Sequence, residues 1–171
     1  MFAASIREPD EVLYIVQDAD HNTVSFINLA RKKAVVKMTS EELENALNKC
    51  EAAVIPGMNG PLLIEMWEKL GHMAAQVMSG RGECWMIDNF GTLQSHQGRG
   101  IASDLIRTTL KDVCEDKPVY LDTSGDEDGR AWPLYERLGF KKVGKFEIDL
   151  TRFGGQGVHT HFGMLKEPAH L

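Results

Sequence analysis

The stretch Gln97-Gly98-Arg99-Gly100-Ile101-Ala102 combines residue types and spacing that could hold an anion. It stands where an apolar, strand-like run gives way to an amphipathic, helix-like one. A helix start leaves N–H groups without intrahelical partners and carries the positive end of the helix dipole, so it attracts phosphate. Glycine lets the backbone approach an anion with no Cβ in the way, and Arg99 adds a positive charge. Taken alone, two glycines before a helix also fit a plain strand-to-helix turn. No Gly-Lys-Ser/Thr follows and the spacing is not GxGxxG, so neither common nucleotide signature applies. Tyr135 offers a phenol that either donates a proton or packs with Leu134 and Leu138. Asp88 offers a carboxylate that is either a proton acceptor or a solvated, salt-bridged strand residue. His159-Thr160-His161 sets two imidazoles on one strand face. A metal pair there would need Glu147 or Asp149 from a neighbouring strand, and an exposed face or a pocket lining is the preferred reading.

The elements that must position these groups follow from periodicity. Val12–Gln17 and Thr23–Leu29 flank Asp18-Ala19-Asp20-His21-Asn22 and read as an antiparallel hairpin. Residues 39–49 read as a helix, with Thr39 or Ser40 as N-cap and Leu43 and Leu47 stacked. After the turn-rich Pro56–Pro61, apolar residues from Leu62 to Val77 recur at helical spacing up to Ser79-Gly80. The Met and Trp stripe of that helix reads as core packing. Residues 83–93 form a mostly buried strand, Ile101–Glu115 a helix, Pro118–Thr123 a strand, and 130–138 a short helix. Pro133 belongs in the first turn of that helix, and Gly139 is its left-handed cap. Strands near 140–152 and 157–166, joined by Gly154-Gly155, close the chain. The order β-β-α-α-β-α-β-α-β-β predicts an α/β fold with a mixed sheet and helices on both faces.

On these residues the sequence resembles the GNAT family of N-acetyltransferases. Gln97-x-x-Gly100-x-Ala102 matches that family's pyrophosphate loop, and Leu134-Tyr135-Glu136-Arg137-Leu138-Gly139-Phe140 resembles its helix-to-strand junction. The two motifs stand in the right order, and the resemblance makes residues 83–144 a cofactor-binding core. It implies a mostly antiparallel central sheet and acetyl-CoA as acetyl donor. Gln97, Gly98, Arg99, Gly100, Ile101, Ala102 and Ser103 would cradle the diphosphate, with Phe90, Gly91 and Thr92 beside the pantetheine arm on a splayed strand. Tyr135 would act as general acid toward the sulfur and Asp88 as general base toward the amine. Strand N–H groups could stabilise the oxyanion that develops during acyl transfer. The implied reaction is transfer to a primary amine by direct attack in a ternary complex. The sequence departs from the family in two places. Family members usually carry a strand and two helices ahead of the hairpin, whereas here about eleven residues precede it and residues 39–79 insert helical material after it. The segment Gly125–Gly129 also lacks the Asn that often contacts CoA. Inserted helices or a second copy in a homodimer would then supply the acceptor wall, or the acceptor site is incomplete. The alternative is a non-catalytic acyl-CoA-binding or protein-interaction module.

Bulk properties narrow the classes. With 171 residues the chain is expected to form one domain. A net charge of −6 argues against nucleic-acid binding, which needs Lys and Arg on phosphates. It suits a cationic substrate, but is also the ordinary condition of a soluble protein. No run approaches the ~20 apolar residues of a membrane span, and the start lacks the pattern of a secretory signal. Cys50, Cys84 and Cys114 form no CxxC pair, which predicts reduced thiols and a cytoplasmic protein.

Overall fold

The computed structural model describes residues 2–33, 35, 39, 41, 45, 57–114, 116–125 and 131–168. Within them a seven-stranded sheet runs in the order β1-β2-β3-β4-β5-β7-β6. Its strands are β1 (Phe2–Glu8), β2 (Glu11–Gln17), β3 (Thr23–Lys32), β4 (Cys84–Thr92), β5 (Val119–Ser124), β6 (Lys141–Asp149) and β7 (Val158–Lys166). Three helices complete it: α1 (Gly60–Met78), α2 (Ile101–Val113) and α3 (Ala131–Arg137). All neighbours pair antiparallel except β4 and β5. The expected mixed, mostly antiparallel sheet with helices on both faces is therefore observed.

The β2–β3 hairpin closes through Asp18, whose Oδ1 accepts from the amides of Asp20 and Asn22. That is the Asx geometry such a turn favours. Strand β1 corrects the sequence reading, which placed no element there. It pairs with β2 in continuous register from Phe2↔Gln17 to Glu8↔Glu11. The segment Phe-Ala-Ala-Ser-Ile-Arg-Glu lacks clean alternation, so pairing with β2 rather than its own pattern makes it a strand. Most of the helix expected at 39–49 and most of the Gly125–Gly129 segment lie outside the described residues.

The sheet separates two cores. On one face α2 and α3 pack Ile101, Leu105, Ile106, Tyr135 and Leu138 against Ile27, Leu29 and Leu121. On the other, Ala74 and Met78 of α1 pack on Cys84, Tyr120 and Leu165. Small residues let α1 approach this second face. A Cβ added at Gly144 would lie 2.8 Å from Met73 Cγ, and one at Gly163 3.1 Å from Met73 Sδ. Alternation along each strand thus tells which face a side chain serves.

Candidate active site

The parallel contact between β4 and β5 is confined to one end, at Trp85↔Val119 and Met86↔Tyr120. That end is pinned: Glu83 bonds Arg31 of β3 at 2.6 Å, and its other oxygen meets Lys117 at 3.3 Å. The Arg31 guanidinium, then Lys117, holds the Glu83 carboxyl below its usual range. The amide of Trp85 donates to the carbonyl of Pro118 just before β5. Beyond Met86 the two strands part, and a cleft of about 820 Å³ opens between them. Phe90, Gly91 and Thr92 of β4 form one wall, with Leu121, Asp122 and Thr123 of β5 opposite.

A β-bulge sits on this wall. Asn28 of β3 pairs with Asn89 while Leu29 pairs with Ile87, so Asp88 is the extra residue. Bulges re-aim side chains. Here the parity changes across it: Trp85 and Ile87 belong to the α2 core before it, and Phe90 packs there after it. Asp88 lines the cleft. Although its surface is exposed, bulk protein around the cleft displaces water from it at longer range. That desolvation raises the carboxyl above its usual range; Lys32 opposes the shift, while Glu11 and Asp122 add to it.

At the open end, Gln97 closes the turn by donating its side-chain amide to the Thr92 carbonyl at 3.1 Å. Gly98 and Gly100 both adopt left-handed backbone, with φ of 74° and 83°, which explains why glycine stands at these two places. Gly100 is the N-cap of α2 and supplies no side-chain cap. Its carbonyl accepts from Asp104 N, so the amides of Ile101, Ala102 and Ser103 have no intrahelical acceptor. All three residues line the cleft. Beside Gly98 the space is empty, and beside Gly100 only an Asp104 oxygen comes within 4 Å. This is a cradle of backbone donors at the positive end of a helix, and its donor set suits a diphosphate. Of the expected loop residues Gln97–Ser103, only Arg99 does not line the cleft; its side chain is exposed.

Tyr135 faces the same cleft from the opposite side. The string that contains it ends α3 in a Schellman turn: Phe140 N donates to Tyr135 O and Gly139 N to Glu136 O, each at 3.0 Å. Gly139 takes φ of 91°, and the Phe140 ring meets the Tyr135 ring edge-on at 5.8 Å. That contact is the hydrophobic partner such a cap recruits. Phe90 touches Tyr135 from β4 at 6.5 Å. The ring is thus held by two aromatic neighbours and is 6% exposed. Burial, followed by the charge of Asp122, pushes its phenol up to about 12.

The sequence reading missed Asp122, which lines the cleft from β5. Its Oδ1 lies 3.0 Å from His161 Nε2, and His161 Nδ1 lies 3.2 Å from His159 Nε2. The two histidines therefore serve a carboxylate, and no group of three ligands suited to a metal occurs among the described residues. Nor is any described helix long and apolar enough to cross a membrane.

The description "Acetyltransferase (GNAT) family" belongs to the family model that matches residues 40–140. Among solved structures, arylalkylamine N-acetyltransferase 2 from Aedes aegypti is similar at a TM-score of 0.63 and 15% identity, over 91% of this chain and 72% of that one. Arabidopsis thaliana NAA60 with a bisubstrate analogue is similar at 0.56 and 16%, over 95% and 78%. A structure of histone acetyltransferase HPA2 and related acetyltransferase from Corynebacterium glutamicum is similar at 0.54 and 20%, over 95% and 67%. At such identities the likeness is one of fold. No curated protein matches the chain.

Proposed function

This chain belongs to the GNAT family of acetyltransferases, and from that premise we propose that it moves an acetyl group from acetyl-CoA to a primary amine by direct attack in a ternary complex. The single observation that carries the reading is the cleft itself. One opening joins a diphosphate cradle, an unpaired strand edge, a buried phenol and a carboxylate of raised basicity. A thioester supplies the activated acetyl group, and the remaining work falls to residues of this chain.

The first-turn amides of Ile101, Ala102 and Ser103 hold the diphosphate, with Gly98 and Gly100 leaving room for it. Gln97 acts by fixing the loop to Thr92, and Arg99 contributes charge from outside the cleft wall. Along Phe90, Gly91 and Thr92 the β4 edge, unpaired toward β5, offers backbone groups to an extended arm. Asp88 accepts the proton that an ammonium must lose before its nitrogen can attack. Desolvation, which raises its affinity for a proton, makes it a better base than an ordinary surface carboxylate. Tyr135 stays protonated across the physiological range and donates a hydrogen bond to the departing thiolate, which takes up the second proton that the attacking nitrogen loses as the amide forms.

Two measurements test the reading. Coenzyme A at millimolar concentration should raise the melting temperature, because a ligand of the native state stabilises it by mass action. Thiol release with a panel of primary amines should show turnover, with the acetylated product identified by mass. Tight CoA binding with no amine acetylated would instead favour a non-catalytic acyl-CoA-binding module. Absence of CoA binding would remove the site assignment altogether.

A further inference from the structure

The chain Asp122–His161–His159 is not needed by the mechanism above, yet it is built with care. On β5, Tyr120 packs with α1 while Leu121 packs with α2, so Asp122 shares the α1 face with Tyr120. On β7, Leu165 packs with α1 and Met164 with α2, which places His161 and His159 on that same face. Phe146 of β6 stacks on His161 at 5.4 Å with an interplanar angle of 13°. His161, with 13% of its side chain exposed, is thus clamped between an aromatic ring and two hydrogen bonds. Asp122 is 33% exposed and reaches the cleft, whereas the two histidines stand outside the cleft wall.

Hydrogen-bond chemistry orders the chain. An ionised carboxylate only accepts, so His161 Nε2–H donates to Asp122 Oδ1; in the neutral chain His161 Nδ1 then accepts from His159 Nε2–H. The imidazoles fix one carboxylate oxygen and leave Oδ2 as the oxygen available to a ligand in the cleft. The charge of Asp122 reaches both Asp88, the assigned base, and Tyr135, the assigned hydrogen-bond donor to the sulfur. A negative charge on the wall of the cleft that Asp88 and Tyr135 also line is where a cationic nitrogen would sit before it reacts.

We propose that Asp122, oriented by His161 and His159, is the anchor for a positively charged acceptor: its Oδ2 receives the ammonium of a primary alkylamine while Asp88 takes the proton. This deepens the acetyl-transfer reading and rests on it. The substrate class it selects is alkylamines that are cations at neutral pH, in preference to aromatic amines that are neutral there. His161 is a positioning residue, since it acts only through Asp122.

The test uses two isomers of equal size, 2-phenylethylamine, which is cationic at pH 7, and 4-ethylaniline, which is neutral. Loss of a charge-assisted hydrogen bond should make Asp122→Asn raise KM for the cationic amine about 10- to 150-fold. The effect should fall on KM more than on kcat, and the neutral isomer should lose at least tenfold less. His161→Leu should reproduce the loss, while His161→Gln, which keeps an N–H donor toward Asp122, should restore most of it. Circular dichroism confirms that each variant is folded. Calorimetry of 2-phenylethylamine on the CoA-bound protein reads the same anchor without turnover. It should show binding to wild type that Asp122→Asn weakens. Equal losses for both isomers, unchanged KM in Asp122→Asn, or failure of wild type to bind 2-phenylethylamine would overturn the proposal. If wild type binds the amine through Asp122 but never acetylates it, the acetyl-transfer reading fails and the anchor stands.

Discussion

Replacing Tyr135 by Phe separates a catalytic phenol from a packing residue. The ring is held by Phe140 at 5.8 Å and Phe90 at 6.5 Å, and both contacts survive the change. Only the hydroxyl is lost, so stability should move by no more than about 1 kcal/mol. The size of the kinetic effect follows from proton affinities. A phenol near 12 is a weaker acid than a thiol near ~8.5, so complete proton transfer to the sulfur is uphill by about 5 kcal/mol. What remains available is a hydrogen bond to developing thiolate charge, worth about 1.5–3 kcal/mol. At 1.4 kcal/mol per factor of ten, kcat in Tyr135→Phe should fall roughly 10- to 150-fold. Full general-acid catalysis would instead show ~10²–10⁴-fold. The assay is CoA thiol release at saturating acetyl-CoA and amine, with CoA affinity from calorimetry and melting from circular dichroism. Affinity should change less than about threefold, since the contact strengthens only as charge develops. A kcat within twofold of wild type would refute the assignment, and a lowered melting temperature without a rate loss would leave Tyr135 a core residue.

The other expectations concern the base, the cradle and the cap. In Asp88→Asn the rate at neutral pH should fall and partly recover as pH rises and free amine accumulates; a flat difference across pH would remove Asp88 as the base. Because the carboxyl of Asp88 is raised in the folded chain, the native state binds more protons than the unfolded one between the two values. Its contribution to stability therefore falls as pH rises through that window, and Asp88→Asn should melt higher than wild type at pH 7, with the gap closing in acid. Gly100→Val forces a β-branched residue into φ of 83° and puts a side chain into the diphosphate cradle; CoA affinity should drop at least about tenfold in a folded protein, as read by calorimetry. Gly139→Ala should cost about 1–2 kcal/mol in urea unfolding because φ is 91° there, whereas an unchanged midpoint would mean that the Schellman turn relaxes freely.

What the sequence disclosed, and what it withheld, divides by range. Schellman chemistry is written in seven consecutive residues, Leu134–Phe140, and the glycine turn into α2 in Gln97–Ala102; both were legible because backbone conformation at Gly98, Gly100 and Gly139 is a local demand. Helices α1 and α2 announced themselves through their apolar stripes. Strand β1 did not, because its order comes from β2. The bulge at Asp88 was equally hidden, since one extra residue against Asn28 and Leu29 appears only once β3 is laid beside β4. Asp122 carried no motif at all. Its partner His161 lies 39 residues away, and the imidazole pair read in isolation suggested a strand face, a pocket lining or a metal rather than a carboxylate support.

The same division bears on why this chain shares a fold with proteins to which it is only 15–20% identical. In this chain the cleft rests on local devices: a strand that parts from its neighbour, left-handed glycines and a helix start with open amides. The sheet order is kept by antiparallel pairing from β1 through β4, although α1 stands between β3 and β4 in the chain. Helix α1, which follows β3 in the chain, lies over β6 and β7, with Met73 seated on Gly144 and Gly163. That is the face on which His161 and Asp122 stand. The inserted helix and the imidazole-supported carboxylate therefore occupy one wall, and substitutions on it should change which amine is accepted while leaving CoA affinity to α2 and its glycines.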